Sequence, residues 1–69
     1  MSDRVYKIIE IVGSSSVSID DAIRNGIARA AKTIKDIGWF KVEDTRGHVI
    51  DGKVAHYQVV MKVGFTLHD

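Results

Sequence analysis

Apolar and polar positions fall into four blocks along the chain, and each block has the period of one element. Arg4 to Val12 reads Arg-Val-Tyr-Lys-Ile-Ile-Glu-Ile-Val, a run of β-branched and aromatic residues that predicts a first strand. Val5, Ile9 and Ile11 share one face with Lys7, and Tyr6, Ile8 and Val12 share the other with Glu10, so alternation alone does not select the inner face. Gly13 and the serines at 14, 15 and 16 then predict a loop. Ser18 stands three residues before Asp21, where its hydroxyl can cap an early helix N–H, and Asp20 and Asp21 suit the positive end of the helix dipole. Apolar or small residues follow at Ile19, Ala22, Ile23, Gly26, Ile27, Ala30, Ala31, Ile34 and Ile37. This single stripe predicts a helix of about five turns from Ser18 to Ile37, with Gly38 as the left-handed residue that closes it. Gly26 weakens the interior of that helix by about 1 kcal/mol relative to Ala, which points to close packing against the sheet.

From Trp39 to Ile50 and from Val54 to Leu67 the pattern becomes that of strands. Asp51-Gly52 between them is a strong hairpin signal, because a type I′ turn requires positive φ at both residues. A two-residue turn flanked by Ile50 and Lys53 fixes the register: Val42 faces Met61 and Phe40 faces Val63, on the face that carries Ala55, Tyr57, Val59, Phe65 and Leu67. That face is expected to cover the helix. The same register sends Trp39, Lys41, Glu43 and Thr45 outward with Gln58, Val60 and Lys62. The fold class is therefore α+β, with the order β-α-β-β and a three-stranded antiparallel sheet on one helix, in a single domain over residues 1–69.

An outward tryptophan on a bare sheet is the anomaly in this pattern. One helix covers one side of a sheet, so Trp39 and Val60 would face water in a free monomer. The chain has only 69 residues and no cysteine, and a domain of this size is marginal alone and, without disulfides, usually needs a metal or partner subunits to supplement a small core. The sequence thus predicts a homo-oligomer. Its 10 Lys+Arg and 9 Asp+Glu leave a formal charge of +1, without the basic bias of a nucleic-acid binder; Arg24, Arg29, Lys32 and Lys35 read as a solvated helix face. No apolar run approaches the length of a membrane span and the opening Met-Ser-Asp-Arg lacks a leader pattern, so a cytoplasmic protein without a membrane partner is expected.

Catalytic constellations are missing. The serine run lacks the glycine spacing and the Lys-Ser/Thr ending of a phosphate loop. Adjacent carboxylates at Asp20-Asp21 belong to the helix start, and those at Glu43-Asp44 point to opposite faces of a strand. The hairpin register sets His48 opposite Ala55 and turns His56 to the other face, so His48, His56 and His68 do not converge and no metal is expected. No enzyme is predicted. Trp39 and Gln58 remain: an exposed aromatic platform and an amide that both donates and accepts suit a flat, hydrogen-bonding heterocycle. Gln58 faces Thr45 in this register, six residues from Trp39, a separation of about 20 Å. A ring shared by the two would take them from different subunits across a symmetry axis. The alternative is a structural or protein-interaction oligomer in which Trp39 is an interface residue only.

Val-Tyr-Lys-Ile-Ile-Glu-Ile-Val-Gly-Ser-Ser (5–15), Ala-Ile-Arg-Asn-Gly-Ile-Ala-Arg-Ala-Ala-Lys-Thr (22–33), Trp-Phe-Lys-Val (39–42), Arg-Gly-His (46–48) and Tyr-Gln-Val-Val-Met-Lys-Val-Gly-Phe (57–65) together resemble the dodecins, small flavin-binding proteins that assemble as hollow homo-dodecamers. The resemblance implies a sheet curled around its helix, Trp39 stacking on the isoalloxazine ring, and Gln58 bonding its pyrimidine edge. Two flavins would stack between two symmetry-related tryptophans, for storage and photoprotection. Arg46-Gly47-His48 resembles the bacterial branch, which implies FMN as the preferred ligand, with riboflavin or FAD as alternatives and Arg46 as the charged contact. Alternation turns Arg46 inward, so this role requires a bulge at Gly47. Arg4 and Tyr6 occupy positions from which a neighbouring chain could reach the ligand. Coenzyme A is a further ligand of the wider family, with no residues assigned here.

Overall fold

The computed structural model describes residues 3–68; the opening Met1-Ser2 and Asp69, at the two ends of the expected domain, lie outside them. The elements are β1 (Val5–Ser15), α1 (Ile19–Ala31), β2 (Ile37–Ile50) and β3 (Lys53–Leu67), the predicted β-α-β-β order. All pairings are antiparallel, and β3 lies between β1 and β2. Asp51 and Gly52 have φ of 52° and 75°, as the type I′ turn requires. No helix among the described residues is long and apolar enough to cross a membrane.

The first strand runs three residues further than its apolar pattern. Gly13, Ser14 and Ser15 pair with Val59, Gln58 and Tyr57, so the expected loop is only the short link from Ser16 to Ser18. The serines are used locally. Ser15 is buried; its hydroxyl donates to Asp21 Oδ2 at 2.7 Å and accepts from the Val17 N–H at 2.8 Å. Ser18 caps the helix, accepting from the Asp21 N–H at 3.0 Å, and Asn25 Nδ2 donates to the Ser14 carbonyl at 3.1 Å. These bonds fasten the end of β1 to the first turns of α1. A polar run that looks like a loop thereby becomes strand plus cap.

The helix is shorter than its stripe. It ends at Ala31 rather than Ile37, and N–H groups of Lys32, Thr33 and Ile34 tighten onto the Arg29 and Ala30 carbonyls. Ile34 and Ile37 keep the apolar spacing because both are half-buried, but they reach the interior from a turn and from β2. The left-handed residue is Asp36, with φ 62°, not Gly38, which lies inside β2 with open space around its Cα.

Val59, Met61 and Val63 of β3 and Ala22 of α1 form the core, with Ile9, Ile11, Ile19, Ile23, Ile27 and Ile37 packed around it. This selects Ile9 and Ile11 as the inner face of β1. The expected close packing at Gly26 is present: a Cβ there would come 2.7 Å from Met61 Cε and 3.2 Å from the Gly13 Cα. The hairpin is covered differently from expectation. Facing pairs Phe40/Val63 and Val42/Met61 are as read from the turn, yet the helix lies on β1 and β3, leaving Phe40 and Val42 47% and 38% exposed. Length explains it. A helix of 13 residues spans about 20 Å and strands of 14 and 15 residues span about 46–50 Å, so the arm runs far past the helix and the chain extends 57 Å in its longest dimension.

Candidate functional site

The outer face of the sheet carries the candidate residues in two separate groups. At one end Trp39 faces Gly64 across the β2–β3 ladder, and Ile8 faces Gly64 from β1. The indole lies over that glycine: a Cβ on Gly64 would overlap Cζ2 and Cε2 of Trp39. Tyr6 meets the same indole edge-on, with ring centroids 5.1 Å apart and planes at 74°. Trp39 is thus held by a side-chain-free patch beneath it and an aromatic ring beside it, yet stays 40% exposed. Arg4 lies just before β1 at this end of the sheet, in an open hollow with Ile37, Gly38 and Leu67. The His68 imidazole pairs with Asp36 in that hollow at 2.6 Å.

Further along, Glu43 takes Lys62 at 3.2 Å and Lys41 at 3.9 Å, so the two lysines, which face each other across the strands, share one carboxylate. Glu43 itself has no partner in β3. The ladder passes from Val42/Met61 to Asp44/Val60, which makes Glu43 a bulge, and a second irregularity at Ala55 restores the hairpin register before the turn. Between them the pairing is displaced by one residue.

That displacement corrects three expectations. Gln58 faces Arg46, not Thr45, and the Arg46 Nε–H donates to Gln58 Oε1 at 3.2 Å. Thr45 is turned inward, lining a small apolar pocket with Ile19, Val49 and Val54. The bulge that brings Arg46 outward is therefore at Glu43 and not at Gly47, whose absent side chain instead lets the strand approach the His56 carbonyl. His48 faces His56, not Ala55, and the two rings stand on one face with centroids 6.3 Å apart. Among the described residues no group of three or more metal-ligating side chains gathers, so the pair stands without a third ligand.

The structure brings Arg46 to Gln58 and Tyr6 to Trp39, with Arg4 near the latter, and keeps the two groups apart. Gly64, opposite Trp39, and Gln58 are six residues apart on β3, about 20 Å, as the sequence required. Gly64 itself went unread as a site residue, although its signal was available: the hairpin register sets a strand glycine opposite the only tryptophan, and aromatic rings cover such glycines.

A dodecin family model matches residues 5–68. The chain is 42% identical over 66 residues to the dodecin of Thermus thermophilus, covering 96% of each. This chain belongs to the dodecin family. Its backbone superposes on the dodecin from Streptomyces davaonensis with a TM-score of 0.95 at 48% identity, covering 99% of this chain and all of that one. The dodecin from Streptomyces coelicolor gives the same TM-score of 0.95 at 43% identity, covering 100% of this chain and 99% of the other. Dodecins are binding proteins rather than enzymes, the family binds flavins, and its members form homo-oligomers.

Proposed function

We propose that this chain is a single-domain flavin-sequestering protein that holds FMN at subunit interfaces of a homo-dodecamer, stacking paired flavins between symmetry-related Trp39 side chains. The observation that carries this reading is the placement of Trp39: an indole half open to solvent, backed by Gly64 and braced by Tyr6, yet far from the Arg46–Gln58 pair of its own chain. Such a platform offers a supported aromatic surface that is still 40% exposed. A flavin between two subunits takes Trp39 from one and Gln58 with Arg46 from another. Gln58 bonds the pyrimidine edge, Arg46 supplies charge, and Tyr6 and Arg4 line the approach from a neighbour.

In this arrangement the protein performs no net chemistry. Trp39 would hold the ring by stacking, where an indole in contact would quench the photoexcited flavin by reversible electron donation, and an interface closed around it would exclude water and reactants. Storage and photoprotection follow. Trp39→Ala tests the assignment: flavin affinity is expected to fall about five- to thirtyfold, the loss of an aromatic stack of one or two kcal/mol, with the oligomer intact by native mass. A variant that binds flavin as before, or one that loses assembly instead, would return Trp39 to the role of a structural interface residue.

A further inference from the structure

The brace beside Trp39 has a chemistry of its own. Tyr6 of β1 faces Thr66 and Trp39 of β2 faces Gly64, two residues apart on β3, so both rings stand on the outer face. Their centroids lie 5.1 Å apart with planes at 74°, an edge contact across which an electron passes with no intervening group. Tyr6 is 49% exposed, and its O–H has water at hand to take a proton.

Among the described residues, Tyr6 is the one readily oxidised side chain placed against the indole. Trp39 is the only tryptophan, there is no cysteine, and the chain has two tyrosines. The second, Tyr57, lines the pocket beside Ile19 on the inner face. It stands seven residues from Gly64 along β3, about 23 Å. Met61 is fully buried in the core on the helix side of the sheet.

We propose that Tyr6 is the electron donor that repairs oxidised Trp39. The inference rests on the flavin reading above for the source of the oxidation and goes beyond it in giving the site a means of recovery. An indole that quenches by lending an electron is left one electron short whenever the return fails. Unrepaired, that ring is lost to irreversible oxidation, and the platform with it.

The step balances within the pair and the surrounding water. Tyr6 supplies one electron to Trp39 and releases its phenolic proton to water; an indole that had shed its N–H proton takes one back. A restored indole and a neutral phenoxyl radical remain. A small reductant of the thiol or ascorbate class then gives one hydrogen atom to the phenoxyl oxygen and regenerates the phenol. The direction follows from acidity: a phenol with a pKa of about 10 keeps its proton at neutral pH, but once oxidised it is a strong acid, and loss of the proton draws the electron toward Trp39.

The test needs no flavin. Pulse radiolysis of azide at neutral pH generates azidyl radicals, which take one electron from the indole and become azide. In the ligand-free oligomer the indolyl absorption is expected to decay as the phenoxyl absorption grows, in a first-order step whose rate does not depend on protein concentration. Tyr6→Phe keeps the ring against the indole and removes only the hydroxyl, so a bracing role alone would leave the kinetics unchanged. The growth is expected to be lost in Tyr6→Phe, with a longer-lived indolyl radical, and to persist in Tyr57→Phe. No phenoxyl growth in the parent protein overturns the proposal, as does growth that survives in Tyr6→Phe or disappears in Tyr57→Phe. Because no flavin is added, the transfer can fail while flavin binding stands, and flavin binding can fail while the transfer is observed.

Discussion

Trp39 lies over the bare backbone of Gly64, in the space a side chain at that position would fill. The glycine is buried by the indole, and the two face each other across adjacent strands. An exposed tryptophan on a flexible surface would lose rotamer freedom on stacking with a ligand; one seated on a vacant backbone position with Tyr6 against its edge has already lost much of it. The platform is preorganised by an absence on the neighbouring strand.

Gly64→Ala therefore displaces the indole without touching any polar group. Overpacking of this kind costs about 1–3 kcal/mol, and the tilted ring stacks poorly. Flavin affinity is expected to fall by at least about tenfold in a fluorescence titration, together with a lowered melting temperature. Unchanged affinity would show that the seat under Trp39 does not matter to the ligand.

The contact between β1 and the helix predicts a contrast between two glycines. A Cβ on Gly13 would run into the Ala22 carbonyl oxygen, which is backbone, whereas a Cβ on Gly26 first meets the mobile end of Met61. Alanine in the helix also returns about 1 kcal/mol of propensity. Gly13→Ala should destabilise the fold by about 2 kcal/mol or more beyond Gly26→Ala, because the former drives into helix backbone whereas the latter needs Met61 to turn aside and the Gly13 backbone to give by a few tenths of an ångström. Chemical denaturation of the two variants measures the difference, and equal losses would contradict the assigned contact.

The left-handed residue between helix and β2 makes a further prediction. Asp36 has φ 62°, a conformation that a branched side chain resists by about 1–2 kcal/mol. Asp36→Val is expected to lower stability by that amount. Asp36→Gly should be neutral or stabilising, since the exposed pair with His68 contributes little. Gly38→Ala, with nothing near the new methyl, should leave stability unchanged. A thermal melt of the three variants checks the order; a large loss at Gly38 would restore it as the closing residue of the helix.

Most of the fold was legible because short-range signals agreed with one another. Ser18 with Asp21, Asp51-Gly52, and the alternation through Val59, Met61 and Val63 each specify local geometry directly, and together they give the order of elements and the core. What failed depended on information that no local pattern holds. Ile34 and Ile37 continue the helical period although a turn and a strand present them, because burial asks only that apolar groups reach the core. The Glu43 and Ala55 displacements carry no residue signature: neither is a glycine, and a one-residue shift exchanges Thr45 for Arg46 opposite Gln58. The candidate site was accordingly half legible. The outward placement of Trp39 and Gln58 followed from alternation and turn register, while the bond from Arg46 to Gln58 and the meeting of His48 with His56 follow from the bulges alone.

The central claim is that Trp39 and Gln58 serve one flavin from different subunits. It is tested most directly by titrating FMN into the purified protein while recording absorbance, fluorescence and native mass on the same sample. The account predicts a yellow, strongly quenched species of about twelve chains that saturates at a fixed flavin-to-chain ratio. A protein of any assembly state that leaves added FMN fully fluorescent would contradict it.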